Sequence, residues 1–179
     1  MNFFVFDLEA TCWPDNRGKE QEIIEIGACI IDPYGSIKST FNSFVRPVMN
    51  PGLSPYCKGL THISQKDVDN ARIFPQVIDK MMDWAELPDE EYIFCAWGSA
   101  DLKLMQSNAA LHRFELEWLC PYVDIKSQYH QRKDIPTPSG LYKVLKQHGM
   151  EFEGERHRAL SDALNLSRII VRYIDEWVY

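Results

Sequence analysis

The run Phe3-Phe4-Val5-Phe6-Asp7-Leu8-Glu9 decides how this chain is read. Its first four residues are aromatic or β-branched and too few for a helix, so they predict a buried strand. Side chains alternate faces along a strand, which puts Asp7 and Glu9 on one side, roughly 7 Å apart. Two carboxylates so placed repel unless a cation sits between them, and a hard divalent ion suits their oxygens. Spacing alone does not decide the matter, because acid-x-acid pairs occur seven times: Asp7/Glu9, Glu20/Glu22, Asp67/Asp69, Asp89/Glu91, Glu115/Glu117, Glu151/Glu153 and Glu153/Glu155. The last six lie in polar, loop-like or helical surroundings and read as solvated charge. The end of a buried strand sets Asp7 and Glu9 apart, and leaves a metal site and solvated strand-end charge as the two readings.

The bulk numbers bound the rest. A chain of 179 residues with 45% hydrophobic and 12% aromatic content fits one globular domain, 1–179, with a full core. No apolar stretch approaches the roughly 20 residues that span a bilayer, and no signal peptide is evident, so no membrane partner is expected. The five cysteines are widely spaced and form no Cys-x-x-Cys pair, which predicts reduced thiols and a cytoplasmic location. The net charge of −7 argues against a protein that coats nucleic acid. It leaves room for an enzyme whose bound divalent cations reverse the local sign, with short contacts at a strand end.

Outward from the first strand, residues 22–32 and 37–46 predict two more strands, joined by the turn Pro33-Tyr34-Gly35-Ser36 into a hairpin. The prolines of 47–55 predict irregular structure. Short helices are expected near 55–59 and 64–70, and a longer one over 74–86. Tyr92 to Trp97 reads as a buried strand, followed by Gly98, a capping Ser99 and a helix to about Leu111. A short strand near 121–124, helices over 125–132 and 139–147, and a long final helix over 159–177 complete the pattern. Early strands in hairpins, then strand–helix alternation, imply an α/β fold with a mixed five-stranded sheet flanked by helices.

Three later residues join the first pair. Asp101 lies in the first turn of the helix after the 92–97 strand, and Asp162 near the start of the final helix. Each alone is accounted for by a favourable charge on the helix dipole. His157, between Arg156 and Arg158, precedes Asp162 by five residues and alone reads as a surface residue. The ordered set Asp7, Glu9, Asp101, His157, Asp162 resembles the DEDDh group of 3′→5′ exonucleases. Phe6-Asp7-Leu8-Glu9-Ala10-Thr11 is similar to its first motif, Asp101 to its second and His157-x₄-Asp162 to its third. Glu9-Ala10-Thr11-Cys12, Leu53-Ser54 with Cys57-x-x-Leu60-Thr61, and Phe74-Pro75-Gln76-Val77 resemble the subgroup that trims histone-message ends, ribosomal RNA and small interfering RNAs. The accessory RNA-binding segment that some of those relatives carry is not expected in these 179 residues.

The resemblance implies a ribonuclease-H-like fold and a site for two Mg²⁺ or Mn²⁺ ions. Asp7 would be shared by both, Glu9 and Asp162 would hold the first, and Asp101 would act on the second through water. Two divalent ions carry +4 against −4 from four carboxylates, and such pairs clamp the attacking and leaving oxygens of an in-line displacement. His157 would be the general base, on a flexible approach to the helix, with a reference pKa near 6.5 that suits neutral pH. Backbone at Ala10 and Thr11 would meet the terminal sugar, Leu60 and Thr61 would meet the terminal base, and His62 reads either as a phosphate or base contact or as a solvated loop residue. Lys126, Arg132 and Lys133 read as a strand-guiding patch or a solvated helix face, and Trp13 and Arg17 as part of a flap or an ordinary loop over 13–21. The implied activity is hydrolysis of single-stranded RNA, or DNA, 3′ ends to 5′-nucleoside monophosphates. A DNA-end exonuclease, an oligoribonuclease and a non-cleaving nuclease-fold adaptor are the alternatives.

Overall fold

The computed structural model describes residues 1–15, 18–87 and 89–179. Five strands form one sheet in the order β3-β2-β1-β4-β5. They are β1 (Asn2–Ala10), β2 (Ile23–Ile31), β3 (Ile37–Phe44), β4 (Tyr92–Ala96) and β5 (Tyr122–Asp124). β1 is central: it pairs antiparallel with β2 and parallel with β4. The sheet is therefore mixed, as expected. Helices α1 (Pro55–Thr61), α2 (Gln65–Asp69), α3 (Phe74–Ala85), α4 (Ser99–His112), α5 (Ile125–Arg132), α6 (Leu141–Gln147) and α7 (Ala159–Arg172) surround it.

The two-residue period of β1 sorts its side chains into two cores. Phe4, Phe6 and Leu8 point to the layer built with Val77, Ile78 and Met81 of α3 and Met105 of α4. Phe3 and Val5 point to the opposite layer, with Leu166, Ile169 and Ile170 of α7 and Val144 and Leu145 of α6. Asp7 and Glu9 continue the row of Phe3 and Val5, so the pleat aims both at the α7 side. The parallel pairing with β4 stops at Val5 and Cys95. Beyond it, β1 runs on past the carboxyl end of β4, the end at which open α/β sheets bind ligands.

Opposite Asp7 and Glu9 on β2 stand Gly27 and Glu25. Gly27 is required by contact: a Cβ there would lie 2.0 Å from the Leu160 nitrogen and 2.2 Å from the Ala159 carbonyl carbon. The first turn of α7 thus rests directly on the backbone of β2. The register shifts between Glu9 and Ala10, a bulge one pair before the ladder ends at Ala10 and Ile23.

Three boundaries differ from the sequence expectation. The final helix stops at Arg172 instead of 177, because Trp177 turns back and its indole N–H donates to the Ile170 carbonyl at 2.9 Å. The cap of α4 is Gly98, not Ser99, and no side chain caps it. Gly98 has φ +109°, a conformation L side chains rarely adopt, so the tight turn after β4 selects glycine. α1 continues to Thr61 and takes Leu60 and Thr61 into the helix.

Gly27→Ala forces α7 off β2 with no flexible atom to yield. The expected loss is about 3 kcal/mol, the top of the range for forced overpacking, or about 6–12 °C in Tm for a chain of this size. Thermal unfolding followed by circular dichroism checks this.

Candidate active site

Asp7, Glu9 and Asp162 each present a carboxylate oxygen within 4.8 Å of the others. β1 supplies the first two from one face, and the first turn of α7 supplies the third. Asp101 comes from the first turn of α4. Its charge bears on Asp7, where it ranks next after burial, and on Glu9, and the charge of Asp162 bears on Asp101 in turn. The turn that carries it is tied down by Tyr122, whose hydroxyl donates to the Gly98 carbonyl.

Four half-buried carboxylates at close quarters resist ionisation. Burial, then Asp101, Asp162, Glu9 and Glu25, push Asp7 well above the ordinary carboxylate range. Burial, then Asp162, Glu25 and Asp101, push Glu9 up to about 8. Asp101 is raised to about 7, chiefly by burial, against backbone hydrogen bonds from its own amide and that of Leu8. Burial also raises Asp162, opposed by the His157 amide. Such a set is poised for a divalent cation, which returns every carboxylate to its charged form. The donors are all hard oxygens, so they fit Mg²⁺ or Mn²⁺ rather than a soft metal.

His157 reaches the cluster through its backbone. Its N–H donates to Asp162 Oδ2 at 2.9 Å, and its φ of +60° bends the chain sharply at the start of α7. The turn leading to it is held from several sides. Asn165 exchanges hydrogen bonds with the Glu153 backbone at 2.8 and 3.1 Å, Arg156 lies 4.3 Å from the Tyr142 ring centre, and Glu155 faces His62 at 3.7 Å. The approach to α7 that the sequence suggested as flexible is a tethered turn.

The other expected contacts divide. Ala10 is half-buried at the bulge. Thr11 is buried, its N–H donates to the Glu22 carbonyl at 2.8 Å, and its hydroxyl accepts from the Glu22 amide at 2.9 Å. Thr61 is buried too, with its hydroxyl on the Cys57 carbonyl at 2.9 Å. In the second segment His62 is exposed, and Leu60 is half-buried against the cluster of Leu53, Cys57, Ile63 and Val68. His62 has a left-handed backbone, caps α1, and points toward Glu155. Of Lys126, Arg132 and Lys133, Arg132 pairs with Glu176 at 3.6 Å and Lys133 sits 4.4 Å over the Tyr173 ring. Lys19 lies 4.6 Å over the Trp13 ring, while Arg17 falls outside the described residues. All five cysteines are free, and among the described residues no helix is long and apolar enough to cross a membrane.

The sequence profile of the exonuclease family matches residues 4–170, a span that takes in Asp7, Glu9, Asp101, His157 and Asp162. The chain belongs to this family. Rat 3′-5′ exoribonuclease 1 is 32% identical over 181 residues, which cover 96% of this chain and 52% of that protein. The chain thus spans about half the length of that relative. The probable 3′-5′ exonuclease KapD of Bacillus subtilis is 30% identical over 172 residues, covering 94% of this chain and 82% of KapD. The crystal structure of the nuclease domain of 3′hExo, a DEDDh family member bound to rAMP, superposes with a TM-score of 0.91 at 32% identity, covering 98% and 92% of the two chains. Exonucleases of the DEDDh type depend on divalent metal, which agrees with the oxygen-rich cluster.

Glu25, Gly27, Arg158 and Tyr122 escaped the sequence reading. One signal was present: Glu25 interrupts an apolar strand, and a charge buried there must find a partner. The partner, Arg158, is 133 residues away, and nothing local announces it.

The raised carboxylates set the pH response of the metal-free protein. Their folded pKa values lie above the unfolded ones, so the folded state binds more protons between about pH 4.5 and 8. The stability they contribute is full below the unfolded values and is lost as pH rises through about 8. In chelator, Tm is expected to fall from pH 5 to pH 8, and Asp7→Asn to raise Tm at pH 8 by removing repulsion. Scanning calorimetry at both pH values checks this, and a Tm that rises toward pH 8 contradicts it.

Proposed function

We propose that this chain is a metal-dependent 3′→5′ exonuclease that shortens single-stranded RNA ends and releases 5′-nucleoside monophosphates. The observation that carries the reading is the convergence of Asp7, Glu9 and Asp162 within 4.8 Å, with the His157 turn bonded to Asp162. Two divalent cations, Mg²⁺ or Mn²⁺, supply charge neutralisation of the attacking and leaving oxygens when bound. Asp7 is the candidate for a shared ligand, because the charges of Asp101, Asp162 and Glu9 all bear on it. Glu9 and Asp162 would hold the first ion with it, and Asp101, from the first turn of α4, would act on the second.

The protein's own part in the reaction is proton handling and placement. A ring nitrogen of His157 takes a proton from the water that attacks the terminal phosphate. The bond from phosphorus to the 3′-oxygen of the penultimate nucleotide breaks, and that oxygen takes up a proton. The backbone tie between His157 and Asp162 joins the turn that carries the base to the ligand. Leu60 offers an apolar surface for a base face without reading its sequence. The preference for RNA is supported by the exoribonuclease name of the rat relative and by rAMP in the 3′hExo structure.

Matched RNA, DNA and dinucleotide substrates, labelled at the 5′ end and digested with Mg²⁺ and then with chelator, test the reading. RNA should shorten stepwise from its 3′ end only with metal. Asp7→Asn should bring cleavage to background. His157→Ala should lower kcat about 10²–10⁴-fold, the usual worth of a general base, with Mn²⁺ binding retained by calorimetry. Wild-type rates from Asp7→Asn would overturn the assignment, and faster cleavage of DNA or dinucleotides would change the substrate.

A further inference from the structure

We propose that Glu25 is a positioning residue for the reaction, acting through Arg158 to fix the base His157 and the ligand Asp162. Glu25 stands on β2 directly opposite Glu9, on the face that carries the acidic cluster, and it is wholly buried. By position it is a fifth acid of the site. By its bonds it is not a metal ligand, because both oxygens are taken. Arg158 Nη2 donates to one at 2.7 Å, Arg158 Nε reaches both at 3.1 and 3.3 Å, and the Ala159 amide donates to the second at 3.0 Å.

These bonds fasten the two residues that follow the base. Arg158 is gripped by its fork and Ala159 by its amide. The Arg158 carbonyl in turn accepts from the Asp162 amide at 3.0 Å, and the His157 amide donates back to Asp162 Oδ2. The segment His157-Arg158-Ala159 is therefore closed into one unit with Asp162 on one side and Glu25 on the other. A planar guanidinium suits this task, since its two parallel donors fix direction as well as distance, which a lysine ammonium does not. The pairing also settles the charge of the site. Four carboxylates balance two divalent cations, and Arg158 balances the fifth.

The inference rests on the reading of His157 as base and Asp162 as ligand, and its test separates the two. Glu25→Gln, Arg158→Lys and Glu25→Gln/Arg158→Gln are compared with the wild type on labelled RNA, well below each Tm, alongside Mn²⁺ calorimetry. Misplacement of a reacting group by about 1 Å lowers rate on the order of 10²-fold. Glu25→Gln is accordingly expected to lower kcat by about that factor, with KM little changed and Mn²⁺ binding retained. The double variant should be no worse, since the pair acts as a unit. A folded Glu25→Gln with wild-type kcat overturns the proposal, and so does a Glu25→Gln that loses Mn²⁺ while Arg158→Lys keeps both Mn²⁺ and wild-type kcat, which would make Glu25 a ligand. If Glu25→Gln does not fold, Arg158→Lys decides: lost kcat supports positioning, and wild-type kcat overturns it. A wild type that does not cleave, or a His157→Ala as fast as wild type, defeats the exonuclease reading instead.

Discussion

Helix α7 lies on strand β2 with no side chain between them at Gly27, and that approach governs the cleft. It lets Asp162 come within reach of Asp7 and Glu9 on the neighbouring strand. It also brings Arg158 over Glu25. A single methyl at Gly27 would meet backbone atoms at 2.0 and 2.2 Å, so helix and sheet hold one spacing only. The two cores set the rest of the frame: Phe3 and Val5 bury the α7 side of β1 and thereby aim the next two odd residues, Asp7 and Glu9, at the same helix.

What the frame assembles is unfavourable in itself. Burial and mutual repulsion hold the acids partly protonated, with Glu9 near 8 and Asp101 near 7. A protein selected for stability alone would not gather them. Strain of this kind, maintained by well-packed surroundings, is characteristic of functional sites. The ties on the His157 turn differ in strength. The His62–Glu155 pair is more than half exposed on both sides, and such pairs contribute about 0–1 kcal/mol. Removing one partner of a buried pair costs about 3–5 kcal/mol, and Glu25 is wholly buried against Arg158. The buried pair therefore decides where the turn sits, and the exposed one trims it.

Much of this was legible in the sequence. The apolar run before Asp7, the hairpin turn at 33–36 and the strand before Gly98 were local signals, and each element formed where the pattern placed it. The order of the five motif residues carried the family. Ends were less legible: α7 stops at Arg172 because Trp177 folds back on Ile170, a tertiary contact invisible to helical periodicity. The hydroxyl partners of Thr11 and Thr61 were illegible for a related reason. Both sit in the motif segments, but their hydroxyls are taken by Glu22 and Cys57. Glu25, Gly27 and Arg158 depend on which strand faces which helix, and spacing along the chain carries no such information.

If Asp7, Glu9 and Asp162 hold the cation, Glu25 stays committed to Arg158. A crystal grown with Mn²⁺ and measured for anomalous scattering at the manganese edge tests it most directly. The expected result is an anomalous peak bonded to oxygens of Asp7, Glu9 and Asp162, with the Arg158 fork still on Glu25. No peak at Asp7 in millimolar Mn²⁺, or Glu25 turned away from Arg158 to bind the metal, would contradict it.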